Sequence, residues 1–169
     1  MILVAVGTFL HGFDALVTAA DAAAARLGVA GFAQIGHSRV IPAHLAWARF
    51  LAPDDLAARM ADARVVVCHG GIGLIGEAMR AQRPILVLPR RGRPTRDSPA
   101  GDQSELAQRL AQRHPIRVCE RPEELTALLA EMLAGAPSFH YRLDSDVPAI
   151  LAAYLEASAA QSSRPARSS

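Results

Sequence analysis

Val65-Val66-Val67-Cys68-His69-Gly70-Gly71-Ile72-Gly73-Leu74-Ile75-Gly76-Glu77 runs from an unbroken apolar stretch into a glycine-rich loop and on into a helical pattern. The apolar stretch suits a strand covered on both faces. The glycines after it open a helix whose first-turn N–H groups carry partial positive charge, and they let an anion approach that backbone. Gly73 and Gly76 fall inside the helix, where each costs roughly 1 kcal/mol relative to alanine. Either a ligand comes close there, or the helix packs tightly on a sheet. Both explanations stay open at the level of sequence, because glycine-rich strand-to-helix turns are common in α/β domains.

Outward from this loop, short apolar runs alternate with helical patterns, the signature of a doubly wound, mainly parallel α/β sheet. Strands are expected at Ile2 to Val6, Gly31 to Ile35, Ala48 to Leu51, Arg64 to Cys68, Pro84 to Leu88 and Ile116 to Cys119. Phe13, Leu16, Val17, Ala20, Ala24 and Leu27 recur at helical spacing and stop before Gly28. Pro53-Asp54-Asp55 starts a second helix, with acids against its dipole. Asp102-Gln103-Ser104-Glu105 has capping-box spacing, and Arg121-Pro122-Glu123-Glu124 opens a helix that ends at Gly135. A last helix is expected at Val147 to Ala157, so that 1–157 form one domain and 158–169 a polar, disordered tail. Ligands of such sheets bind at the carboxyl ends of the strands, where the loops Gly7 to Gly12, Gly36 to Arg39, His69 to Gly73 and Pro89 to Gly101 converge.

Half of the 169 residues are apolar, enough to bury a full core. A formal charge of +2 gives no case for nucleic acid, and all 18 basic residues are arginine, which removes lysine nucleophiles and Schiff bases. Cys68 and Cys119 each end an apolar run and read as buried, reduced thiols of a cytoplasmic protein. The opening Met1-Ile2-Leu3-Val4-Ala5-Val6-Gly7 has no basic leader and is too short to cross a bilayer. Any membrane association is therefore expected to come through a partner.

From Cys68 onward the order of chemistry-bearing residues is distinctive: His69-Gly70-Gly71, Glu77, Pro84 and Pro89 bracketing a strand, then Asp102-Gln103 opening the next helix. This pattern resembles the donor-binding half of GT-B glycosyltransferases. With Val4-Ala5-Val6-Gly7-Thr8-Phe9 it is similar, over roughly residues 1–135, to the family 28 C-terminal domain found in MurG-type GlcNAc transferases. The nearest likeness is to the free-standing small subunit of two-subunit lipid-linked sugar transferases, including the bacterial exopolysaccharide ones.

The resemblance implies a Rossmann-like domain equivalent to the C-terminal half of a GT-B fold, acting as a UDP-sugar-dependent hexosyltransferase subunit. Glu77 would accept hydrogen bonds from ribose hydroxyls, one helical turn beyond Gly73, where the missing side chain leaves room. His69 would stand beside the diphosphate with Gly70 and Gly71, Gly7 and Thr8 would form a second phosphate-facing turn, and Asp102 and Gln103 would face the donor sugar. Against this stand ordinary readings: a solvated Glu77, a structural His69, a plain turn at Gly7, and an Asp102 explained by capping. Ile72 and Leu74 depart from the pattern, since family members usually carry serine or threonine in this loop. Arginine from the run Arg90 to Arg96 could compensate, or that run is a solvated loop.

The implied partners are a UDP-sugar, a polyprenyl-linked saccharide acceptor, and a membrane-anchored subunit that holds the acceptor and supplies the catalytic base. That subunit would keep this chain peripheral to the inner membrane in a heterodimer for exopolysaccharide or lipid-linked oligosaccharide synthesis. No cofactor and no essential metal are expected, because helix N-termini would stabilise the phosphates. His11 and Asp14 form a further polar pair without an implied role. A non-catalytic nucleotide-binding regulatory module and a sugar-nucleotide epimerase-like fragment remain as alternatives.

Overall fold

The computed structural model describes residues 1–92, 102–135 and 140–141. Within these, six parallel strands form one sheet: β1 (Ile2–Ala5), β2 (Gly31–Gln34), β3 (Ala46–Ala48), β4 (Val65–Cys68), β5 (Ile85–Val87) and β6 (Ile116–Val118). Their order is β3-β2-β1-β4-β5-β6. The order reverses direction between β1 and β4, which pair from Ile2 against Val65 to Ala5 against Cys68. A crevice opens at the carboxyl ends of such a pair because the loops leave to opposite faces.

The helices are α1 (Asp14–Leu27), α2 (Pro53–Asp62), α3 (Ile72–Arg80), α4 (Ser104–Arg113) and α5 (Leu125–Ala134), the last preceded by a 3-10 turn at Pro122–Glu124. Alternate strand residues serve two cores. Ile2, Val4, Val6, Val65 and Val67 meet α1 and α5, whereas Leu3, Ala5, Val66 and Cys68 meet α2, α3 and α4. This is why β1 and β4 read as continuous apolar runs rather than alternating ones. Both cysteines are buried and free, and burial pushes the Cys68 thiol up to about 12.

Most elements fall where the sequence places them. Gly28 closes α1 at φ 62°, its N–H reaching the Ala24 and Ala25 carbonyls. Two expectations are corrected. Strand β3 is Ala46–Ala48 rather than Ala48 to Leu51, because it is an edge strand positioned by pairing with Phe32, Ala33 and Gln34, and its exposed Trp47 gives no burial pattern to read. The capping box before α4 does not form. Asp102 accepts the Ser104 N–H at 2.8 Å, and Glu105 pairs with Arg109 at 2.6 Å instead of reaching back. The expected helix at Val147 to Ala157 and the tail 158–169 lie outside the described residues.

One carboxylate on α1 holds the long connection between β2 and β3 in place. Asp21 accepts the backbone N–H groups of Ala43, His44 and Leu45 at 2.9, 3.0 and 2.8 Å. Partial burial pushes its pKa up, but these three bonds outweigh burial and hold it below the usual carboxylate value. Folding is therefore strengthened above the ordinary aspartate pKa, and that contribution disappears as the pH falls through the lowered value. Asp21→Asn is expected to reduce stability by about 1–2 kcal/mol at pH 7 and to flatten the acid limb of a denaturation series between about pH 5 and 2. An unchanged acid limb would contradict the assignment.

Candidate functional site

At the carboxyl end of β4, residues 69–71 turn the chain into α3, with Gly71 at the N-cap. His69 is only 9% exposed, and its ring fills the gap between the loop after β4 and the loop after β1. The space left by three glycines is taken by protein. A Cβ on Gly71 would lie 2.1 Å from His69 Cε1, one on Gly70 would lie 2.7 Å from Gln103 Cβ, and one on Gly7, whose φ is +72°, would lie 2.9 Å from His69 Nε2. Gly7, Gly70 and Gly71 are thus needed for packing around His69 and Gln103.

Gly73 and Gly76 differ. Among the described residues, nothing lies within 4 Å of a Cβ placed on Gly73, and only the Arg80 guanidinium, at 3.7 Å, comes near one on Gly76. Close packing on the sheet does not explain these two positions. They share one outward face of α3 with Glu77 and Arg80, whose side chains pair at 2.5 Å while both remain largely exposed. The result is a bare strip of helix ending in a carboxylate. Leu74 turns into the core, and Ile72 is 61% exposed at the lip of the loop, so the two positions where hydroxyls were expected offer none.

His69 Nδ1 has two partners. The Gly71 N–H lies 2.9 Å from it and Gln103 Oε1 lies 3.1 Å away. With its proton on Nε2 the ring accepts from Gly71; with its proton on Nδ1 it donates to Gln103. Each neutral tautomer has a partner in place, and only the first leaves Nε2 a donor. Burial, followed by the field of Arg90, lowers the His69 pKa against the opposing effect of Gln103, so at neutral pH the ring offers a hydrogen bond rather than a positive charge.

Gln103 is tied to its neighbours through its side-chain oxygen and its backbone. Its Oε1 contacts His69 and accepts the Arg90 N–H at 3.3 Å, and its own N–H donates to the Arg90 carbonyl at 2.9 Å. Asp102 is exposed beside it, and Thr8 is exposed across the crevice. Arg90 is the residue whose importance is least apparent in the sequence. Its guanidinium donates to the carbonyls of Val6 (3.3 Å), His11 (3.2 Å) and Gly12, and lies 4.7 Å from the centre of the Phe13 ring and 5.7 Å from that of Phe9. The first arginine of the basic run is therefore a clamp that holds the loop after β1. Arg91 pairs with Glu120, and Arg93 to Arg96 lie outside the described residues.

The model of the glycosyltransferase family 28 C-terminal domain matches residues 1–147. The chain belongs to this family. Solved structures similar to the family 28 domain include the kitacinnamycin glycosyltransferase, 24% identical with TM-score 0.58, which covers 80% of this chain and 35% of the other. MurG of Acinetobacter baumannii is 22% identical with TM-score 0.56, over 78% of this chain and 40% of its own. The glycosyltransferase VinC, solved with dTDP, is 22% identical with TM-score 0.54, over 82% and 34%. These likenesses are of fold, that of the C-terminal half of a GT-B glycosyltransferase. The family 28 domain spans between 34% and 40% of the length of these three proteins. No curated protein sequence matches it. Among the described residues, no helix is long and apolar enough to cross a membrane.

Proposed function

We propose that this chain is the donor-binding subunit of a glycosyltransferase that moves a sugar from a UDP-sugar to a polyprenyl-linked saccharide in polysaccharide synthesis. The observation that carries the reading is the bare face of α3, on which Gly73 has no atom of the described residues within 4 Å of a Cβ placed there and Glu77 stands one turn further along. A helix that gives up two favourable residues without any packing return is consistent with a ligand lying along it. In this reading the ribose hydroxyls donate to Glu77, the diphosphate meets the first-turn N–H groups of α3 and the Nε2–H of His69, and Gly7 and Thr8 close the opposite wall. The donor sugar extends towards Asp102, with Gln103 acting on it through the orientation of His69. VinC, of the same fold, was solved with a nucleoside diphosphate, which supports a nucleotide here.

The acceptor site and the catalytic base are assigned to a membrane-anchored partner subunit, which would keep this chain peripheral to the inner membrane on the cytoplasmic side. The match is to a C-terminal domain and covers 40% of MurG, which supports a cleft completed by a second half. The sugar would pass with inversion to a hydroxyl of the lipid-linked saccharide.

Calorimetric titration with UDP, UDP-sugars and dTDP tests the donor site. UDP is expected to bind, and Glu77→Ala to weaken it by at least about tenfold, the loss of hydrogen bonds to a charged acceptor. Gly73→Ala is expected to stabilise the protein by about 0.5–1 kcal/mol through helix propensity while also weakening UDP. A stabilised variant with unchanged affinity would show that the ligand does not lie on this face. Transfer appearing only on co-expression with a membrane-anchored half-enzyme would support the two-subunit reading, and full activity of this chain alone would overturn it.

A further inference from the structure

A second pocket lies at the same sheet edge, on the β1 and β2 side of the crevice. Its volume is about 270 Å³, and it is lined by Leu10, His11, Gly12, Phe13, Asp14, His37 and Arg39. Its frame is rigidly built from the loops after β1 and β2. A Cβ on Gly12 would lie 2.4 Å from the Ser38 backbone, the Ser38 hydroxyl accepts the Phe13 N–H at 2.8 Å, and Asp14 Oδ1 accepts the N–H groups of Arg39 (2.8 Å) and Val40 (3.5 Å). Arg49 ties the same turn from below, donating to the Gly36 and Ser38 carbonyls at 3.2 and 3.1 Å.

This backbone is held so firmly that the side chains at its rim are presented on a fixed support. The Arg39 guanidinium makes no hydrogen bond or ion pair with any described residue, although its own N–H anchors the turn. The Asp14 carboxylate is fixed through Oδ1, which leaves Oδ2 as an acceptor. His11 and His37 add ring nitrogens, and Leu10 and Phe13 add apolar wall, Leu10 being 75% exposed. A guanidinium fork, a carboxylate acceptor and an apolar surface are the groups that a hydroxylated ring bearing an acidic substituent requires, and the two imidazoles of the lining stand where they would report its arrival.

We propose that this pocket is a subsite for an acidic sugar, a hydroxylated ring carrying a carboxylate or a phosphate, with Arg39 reading the anion and Asp14 reading a hydroxyl. It shares a wall with the nucleotide-facing loops, since Arg90, which bonds the His11 and Gly12 carbonyls, is itself held by Gln103 beside His69. A ligand here is adjacent to the donor, so the pocket would hold one acidic ring of the second substrate, whose main acceptor site stays with the partner subunit. That designation as second substrate rests on the donor reading above; the pocket's chemistry does not.

The test follows the imidazole resonances of the full-length chain while glucuronate, glucose 6-phosphate, glucose or inorganic phosphate is added. His11 and His37 are expected to respond to glucuronate or glucose 6-phosphate at least about tenfold more tightly than to glucose, and the tighter of the two acids names the substituent. Arg39→Gln should weaken the acid by at least about fivefold, leave glucose unchanged, and leave UDP binding within about twofold of the parent. Silent His11 and His37 resonances, equal responses to glucose and the acids, or inorganic phosphate binding as tightly as glucose 6-phosphate would each overturn the proposal. Failure of UDP to bind while the acids still move His11 and His37 would remove the donor reading alone.

Discussion

Replacing Arg90 with methionine is expected to lower the thermal midpoint by about 6–12 °C, corresponding to about 3 kcal/mol for a domain of this size. Methionine retains a flexible apolar side chain and removes the guanidinium, so the loss reports its hydrogen bonds together with its approach to the Phe9 and Phe13 rings. Those hydrogen bonds are to the Val6, His11 and Gly12 carbonyls, at a position half-withdrawn from water. The Val6 and Gly12 carbonyls are part-buried and the His11 carbonyl is exposed; leaving the first two without a donor costs up to about 1–3 kcal/mol each, and the bonds on one loop are lost together rather than additively. Amide exchange should accelerate first in residues 6–13, ahead of the central strands. A midpoint within about 1 °C of the parent would show that the clamp contributes nothing.

The second large effect concerns Gly71. A methyl group there would occupy the position of His69 Cε1, 2.1 Å away, and lie 2.9 Å from both ring nitrogens. Gly71→Ala is expected to cost about 3 kcal/mol, part steric and part from the lost Gly71 N–H bond. The ring has to leave its buried place, so its pKa should rise back towards the ordinary imidazole value as burial is relieved. Because the clash is with one side chain, the penalty should shrink by about 2 kcal/mol when measured in a His69→Ala background. Equal penalties in both backgrounds would place the strain elsewhere in the loop. Gly71→Ala and Gly73→Ala, two residues apart in one motif, are thus predicted to change stability in opposite directions.

That contrast marks how much could be read from residues alone. Buried strands and alanine-rich helices announce themselves through apolar runs and spacing, and a mainly parallel sheet follows from their alternation. Edge strand β3 does not, because an exposed strand is positioned by its neighbour's hydrogen bonds and not by its own pattern. Glycines can be counted in a sequence, but their reasons cannot: Gly70 and Gly71 make room for protein, Gly73 for nothing among the described residues. Gln103 stands out in the sequence as a candidate, yet its contacts with His69 and Arg90 join residues 34 and 13 positions apart. Arg90 was hidden among neighbouring arginines, since composition cannot separate a clamp from a solvated loop. Asp14 and His11 stood out as a pair, but the pocket they line needs Arg39, which only the β2 loop brings alongside.

The pairing of β1 with β4 also sets an order of events during synthesis. Ile2–Ala5 can join Gly31–Gln34 after some thirty residues, but their other neighbour, Val65–Cys68, is made only much later. Until that strand leaves the ribosome, one edge of β1 is an open row of donors and acceptors, able to recruit any passing extended segment. The crevice and the seat for His69 come into existence at a single step, when β4 closes that edge. A pause in translation before Val65–Cys68 has emerged would prolong the exposed stage, and a pause after it has emerged would not.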